Sequence, residues 1–161
     1  MKDNTKVLKS VLDEQDKADD VELLLIVHML PDTLTFLEQT GDVFNIDHIL
    51  CIPYAVDDES LEQAAASFDV TVPSDIDDLR DRAKRYIQDF PEQHDTDLIV
   101  LEIGGYCADF INDIDTGHIR AIVEDTNNGH WAYEQADPDV PVLSIAQSSI
   151  KQLENRVVGP A

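Results

Sequence analysis

The sequence predicts an α/β fold: a three-layer, Rossmann-like or flavodoxin-like domain with a mainly parallel sheet of about six strands. Three observations carry this. Runs of strand length recur that are apolar almost throughout rather than alternating, as expected when both faces of a strand are covered. Segments with helical periodicity stand between most of these runs. The connecting loops are a few residues long, so the strands return through crossovers, which are right-handed in parallel sheets. The 161 residues suit one domain, and neither a break in composition nor an internal repeat marks a second.

Taken in order, residues 1–20 read as a short helix or an arm. "VELLLIVHML", residues 21–30, is the first strand. In "PDTLTFLEQTG" Pro31 fits an early helical position, Leu34 and Leu37 share a face, and Gly41 is a helix stop. "FNIDHILCIPY" is the second strand, with Pro53 near its end. "DDESLEQAAASF" is a helix whose acidic first turn suits the macrodipole and whose alanines suit the interior. "DVTVP" is a short third strand. "SDIDDLRDRAKRYIQDF" is the clearest helix, with Ser74 as N-cap and Ile76, Leu79, Ala83 and Ile87 on one stripe. "DLIVLEIGG" is the fourth strand and "YCADFIND" a short helix. "HIRAIVED" and "VPVLSIA" are the fifth and sixth strands, and "QSSIKQLENRVV" is a closing helix.

Charge bounds the function. The chain has 34 acidic residues against 11 basic ones, a net charge of -23. Nucleic-acid binding needs a basic face, and an anionic membrane would repel this surface, so neither partner is expected. Two readings of the acidity remain: a specific basic partner, or a solvation strategy for work at high salt, where self-repulsion is screened. The acidic residues are spread along the chain rather than gathered in a tail, which favours halophilic adaptation. Cys51 and Cys107 sit beside apolar residues and read as buried free thiols; no CxxC or Cys/His cluster predicts a metal site. The first twenty residues are too polar for a signal peptide and the longest apolar run is too short to span a bilayer, so a cytoplasmic protein is expected.

Open parallel sheets bind ligands beyond the carboxyl ends of their strands. After strand one come His28, Met29, Pro31, Asp32 and Thr33; after strand two, Tyr54, Asp57 and Asp58. After strand four come Glu102, Gly104 and Gly105; after strand five, Glu124, Asp125, Thr126, Asn127 and Asn128. After strand six come Ser144, Gln147 and Ser148, with Lys151 a turn further on. Each also has a structural reading. Asp32 and Thr33 are ordinary first-turn residues, Gly-Gly is usually a tight turn, and "DTNNGH" could be only a polar turn. No P-loop, GxSxG, HExxH or GxGxxG motif is present.

The ordered set resembles the substrate-binding domain of the adenosylhomocysteinase family, which reversibly splits S-adenosylhomocysteine with a tightly bound NAD. The matching segments are "VHMLPDT", "LEIGG", "VEDTNNGH" and "VPVLSIAQSSIKQLEN", running from about residue 21 onward in the family order. The resemblance implies that His28, Asp125 and Lys151 serve catalysis at the ribose, with Glu154 at the position of a catalytic aspartate. It implies that Asp32 contacts adenine, and that Thr33, Glu102, Glu124, Thr126, Asn127 and Asn155 complete the substrate contacts. The sequence departs from the family at Ile103, where an aspartate is expected, and at Leu30, Asn127 and Asn128, where threonines are expected. These departures point to a divergent branch. The family's NAD-binding domain, which would follow the lysine helix, is absent from the 161 residues. The expectation is a nucleoside-binding domain that carries no cofactor itself. It would be inactive without an NAD-binding domain supplied in cis or in trans, and a homo-oligomer is a further expected partner. The alternative is a non-catalytic binding or interaction module reusing the fold.

Overall fold

The computed structural model describes residues 16–149 and 151. Six strands form one sheet: β1 (Ala18–Met29), β2 (Phe44–Val56), β3 (Val70–Thr71), β4 (Asp97–Glu102), β5 (Ile119–Glu124) and β6 (Val142–Ser144). Their order is β3-β2-β1-β4-β5-β6 and every pairing is parallel. This is the Rossmann order; a flavodoxin-like sheet would run 2-1-3-4-5. Four helices connect the strands: α1 (Pro31–Gly41), α2 (Asp58–Ala65), α3 (Ile76–Gln93) and α4 (Asn127–Ala136).

The two faces of the sheet bury separate cores. On one face Leu23, Leu25, Val27 and Met29 of β1 pack with Ile49, Cys51, Leu37 of α1 and Ala64 of α2. On the other, Leu24 and Ile26 pack with Leu50, Leu98, Val100, Ile122, Leu79, Ala83, Ile87 and Phe90 of α3, and Tyr133 of α4. Strict alternation along β1 thus feeds both cores, which is why this strand reads as an unbroken apolar run. The chain leaves β1 toward the α1 face and leaves β4 toward the α3 face. The gap between the carboxyl ends of these neighbouring strands is therefore the topological switch point.

Three local readings need correction. Residues 18–20 belong to β1, not to an N-terminal arm: Ala18 pairs with Phe44 and donates its N–H to the Val43 carbonyl at 2.9 Å. Residues 1–15 of the predicted arm lie outside the described residues, as does most of the closing helix. Asp75, not Ser74, is the N-cap of α3, because its carboxylate accepts from the Asp78 N–H at 2.9 Å. The segment 106–113 forms turns and a single 3-10 turn, Ile111–Asp113, rather than a helix. A helix is also added: α4 follows β5 directly, over residues read as site candidates or a polar turn and assigned no helix.

Two features shape the edges of the sheet, the first at its carboxyl edge. Along β2, Cys51 pairs with Val27 and Val56 with Met29, so two steps of β1 face five of β2. The excess is a bulge holding Pro53, which has no N–H to give a ladder, and Tyr54, which is left 70 % exposed. At the other edge α3 runs through Pro91. The missing proline N–H would leave the Ile87 carbonyl unpaired; the His118 ring takes its place, with Nε2 at 2.8 Å.

Candidate functional site

At the switch point a cleft of ≈ 360 Å³ opens on the α1 face. Its walls are Val27 at the end of β1, Asp32, Thr33 and Phe36 of α1, Leu101 and Ile103 at the end of β4, Asp125 after β5 and Ile145 after β6. Most of the lining is apolar, with two carboxylates and a hydroxyl set into it, the general form of a small-molecule site. Lys151 pairs with one of these carboxylates, its Nζ 3.5 Å from Asp125 Oδ2. Asp32, Thr33, Asp125 and Lys151 are thus brought together from three separate parts of the chain. The hydroxyl of Thr33 also has a local duty, donating to the His28 carbonyl at 2.9 Å and so fixing the turn from β1 into α1.

The pleat divides the remaining candidates from this group. His28 follows Val27 and so falls on the α3 face. There its ring lies 6.0 Å from that of Tyr54, tilted by 58°. The Tyr54 hydroxyl meets the Tyr106 hydroxyl at 3.0 Å, and Tyr106 packs over Gly104. His28 and Asp125 share the carboxyl edge of the sheet but stand on opposite faces of it. Glu102 and Glu124, expected to meet substrate, are 0 % exposed and lie on the α3 side. They are neighbours across the β4–β5 ladder, where Glu102 pairs with Glu124. Alternation is the physical reason: Leu101 and Ile103 turn to the cleft, so Glu102 between them turns away. Glu102 therefore does not replace the carboxylate lost at Ile103. Glu154 and Asn155 lie outside the described residues.

The internal partners of these two glutamates explain their burial. Glu124 accepts from four donors: the main-chain N–H groups of Gly104 (3.1 Å), Gly105 (2.9 Å) and Thr126 (2.6 Å), and the Thr126 hydroxyl (2.7 Å). It clamps the turn that follows β4 against the one that follows β5. Gly104 (φ 127) and Gly105 (φ 70) supply the left-handed backbone this turn needs. A Cβ at Gly129 would stand 2.1 Å from the Glu124 carboxyl carbon, so glycine is required there as well. Glu102 accepts from the Tyr133 hydroxyl and, at 3.3 Å, from the Cys107 N–H. Burial pushes its pKa up to about 7, a rise opposed by the Tyr133 hydrogen bond and helped by the charge of Glu124. The Cys107 thiol beside it is raised by the same burial; Cys51 and Cys107 are both free and buried.

The polar run after β5 is therefore spent mostly on structure. Glu124 clamps the Gly-Gly turn. Thr126 caps α4 by accepting from Gly129 N–H at 3.0 Å. Asn127 accepts from Gln147 at 3.1 Å. Asp125 is the member that faces the cleft. The cleft walls Val27, Phe36, Leu101 and Ile145 were not picked out from sequence, since apolar residues at a strand end look the same whether they meet a ligand or the core. None of the helices in the described residues is long and apolar enough to cross a membrane. No protein-family model matches the chain, and no curated protein matches it significantly.

Proposed function

We propose that this domain binds a nucleoside of the adenosine or S-adenosylhomocysteine kind in the switch-point cleft, as the substrate half of an adenosylhomocysteinase-like protein. The observation that carries the reading is that Asp32, Thr33 and Asp125 set polar groups into one apolar-walled cleft at the fold's ligand position. An apolar slot between Val27, Phe36, Leu101 and Ile145 suits a flat base, and carboxylates suit the donors of an amino group and ribose hydroxyls. The N–H groups of Gly104 and Gly105, which could hold a phosphate, are taken by Glu124, and the nearby Asp32 and Asp125 repel one. The reading therefore favours an unphosphorylated ligand. In it Asp125 and Lys151 act at the ribose as an ion-paired acid–base couple; His28, on the other face of the sheet, stands outside this cleft, and Glu154 lies outside the described residues. Redox chemistry at the ribose would need NAD held by another domain, in cis or in trans, since no GxGxxG turn is present. Ile103 in the cleft favours a second reading, a binding module without catalysis.

Titration calorimetry with adenosine at molar KCl tests the first reading. Asp125→Ala should weaken binding about tenfold or more, the worth of a hydrogen bond to a charged group. The 161-residue chain alone should not turn over S-adenosylhomocysteine. Adenosine binding indifferent to Asp125 and Asp32 would leave only a likeness of fold.

A further inference from the structure

The amino edge of the sheet, at the opposite end from the cleft, holds a second group of chemistry-bearing side chains. Glu22 of β1, Asp47 of β2 and His94 at the end of α3 bring one ligand atom each to within 4.8 Å of one another. All three are half-buried, and the Glu22 side chain is only 14 % exposed. The imidazole is held in place before any ligand arrives. The His94 N–H caps α3 by donating to the Phe90 carbonyl at 3.0 Å, and its ring stacks on Phe90 with centroids 4.3 Å apart and planes 9° from parallel. Asp47 is fixed in turn by the Tyr86 hydroxyl, which donates to its Oδ2.

The contact between His94 and Glu22 is the telling one. Nδ1 lies 2.8 Å from Glu22 Oε2, yet that buried oxygen receives no aligned hydrogen bond. Two ligand atoms each ~2.0–2.1 Å from one tetrahedral ion stand ~3.3 Å apart, so the pair need part by only about half an ångström to seat one. On the other side of the ring Nε2 is 3.6 Å from Asp47 Oδ2, beyond hydrogen-bonding reach. Two carboxylates and an imidazole gathered in a half-buried place are a donor set that suits a divalent cation. The Tyr86 hydroxyl is the kind of outer partner that orients a carboxylate ligand.

We propose that Glu22, Asp47 and His94 form a binding site for a divalent transition-metal ion, of the zinc or cobalt(II) class, joining the amino ends of β1 and β2 to the end of α3. The imidazole ligand selects this class over magnesium and calcium, which take oxygen ligands. The site is independent of the nucleoside cleft.

Cobalt(II) chloride titrated into the chelator-treated 161-residue chain at molar KCl tests it, read by visible absorbance and, with zinc, by the NMR signals of the His94 ring. The expected result is one saturable site with ligand-field bands that survive a large excess of magnesium. His94→Gln and Glu22→Gln should each weaken it more than about tenfold, and Tyr86→Phe, which spares all three ligands, about tenfold. Asp139→Ala should leave it unchanged. Weak, unsaturable cobalt uptake shared by all variants would overturn the proposal, because that is the behaviour of scattered surface carboxylates. So would His94 signals that move with pH but not with zinc; the trio would then be an ion-paired histidine. The NMR reading uses the unaltered chain, so it decides the matter even if a variant fails to fold.

Discussion

Glu102 and Glu124 show how far identical side chains diverge when their donors differ. They are paired across β4 and β5 and both are fully buried. Glu124 collects three main-chain N–H groups and a hydroxyl, four donors on one carboxylate. Glu102 has the Tyr133 hydroxyl and one long contact from Cys107, and burial raises its pKa from an ordinary 4.5 to about 7. The sign of the consequence follows from linkage. A carboxyl with a raised folded-state pKa binds its proton more tightly in the fold than in the unfolded chain. Its stabilising contribution is complete below about pH 4.5 and is lost as pH climbs through about 7. Glu102→Gln keeps the shape without the charge: its amide can donate to the Tyr133 oxygen and accept from Cys107. Urea unfolding at pH 5 and pH 8 should show the unaltered chain losing more stability than the variant across that interval. The difference should be on the order of 3 kcal/mol, the worth of such a shift. Equal losses in the two proteins would mean that Glu102 stays ionised throughout.

At the scale of elements, caps decide where helices begin. Asp75 accepts from Asp78 N–H at 2.9 Å while the Asp78 carboxylate reaches back to Ser74 N–H at 2.9 Å, a reciprocal arrangement at the start of α3. Asp75→Ala should cost about 1 kcal/mol in urea unfolding, and Ser74→Ala distinctly less, because the Ser74 side chain adds only a long 3.3 Å bond to Asp75 while its main chain is kept. The same local chemistry shows what was legible in the sequence. Strands covered on both faces announce themselves as apolar runs, and α3 announces itself by its stripe. The helix α4 does not, because it opens with Asn127, Asn128 and Gly129, all poor helix formers. Gly129 is there because the Glu124 carboxylate passes where its Cβ would be, so the residue that hides the helix is one the neighbouring turn requires. The carboxyl edge was legible for a simple reason: in a parallel sheet all strands end on the same side. Which face each residue takes was not, since alternation sorts Val27 from His28 only relative to neighbours, and the Glu102–Glu124 register appears only once strands pair. The trio Glu22, Asp47 and His94 left no sequence signal at all, being gathered from three distant segments.

Over the whole molecule the dominant quantity is charge. With 34 acidic side chains and 11 basic ones, most carboxylates have no cation to pair with. Three of the four cations of α3 are already engaged with carboxylates, Arg80 with Asp77 and Asp109, Arg82 with Asp78, and Lys84 with Asp113. Self-repulsion of the remainder opposes the compact state, and salt screens it within a Debye length of about 3 Å at molar ionic strength. The melting temperature should therefore rise steeply between low and molar KCl. A flat or falling dependence would remove salt adaptation as the reason for the acidity and turn attention to a basic partner.

The clamp formed by Glu124 has a further consequence for how the cleft meets its ligand. Glycine-rich turns in folds of this kind often wait for an incoming anion to organise their main chain. Here the anion is a side chain of the protein itself, delivered by β5 and present in every copy from the moment the sheet forms. The turn beside Ile103 is thereby rigid in the empty domain, and whatever enters the cleft spends none of its binding energy ordering that wall.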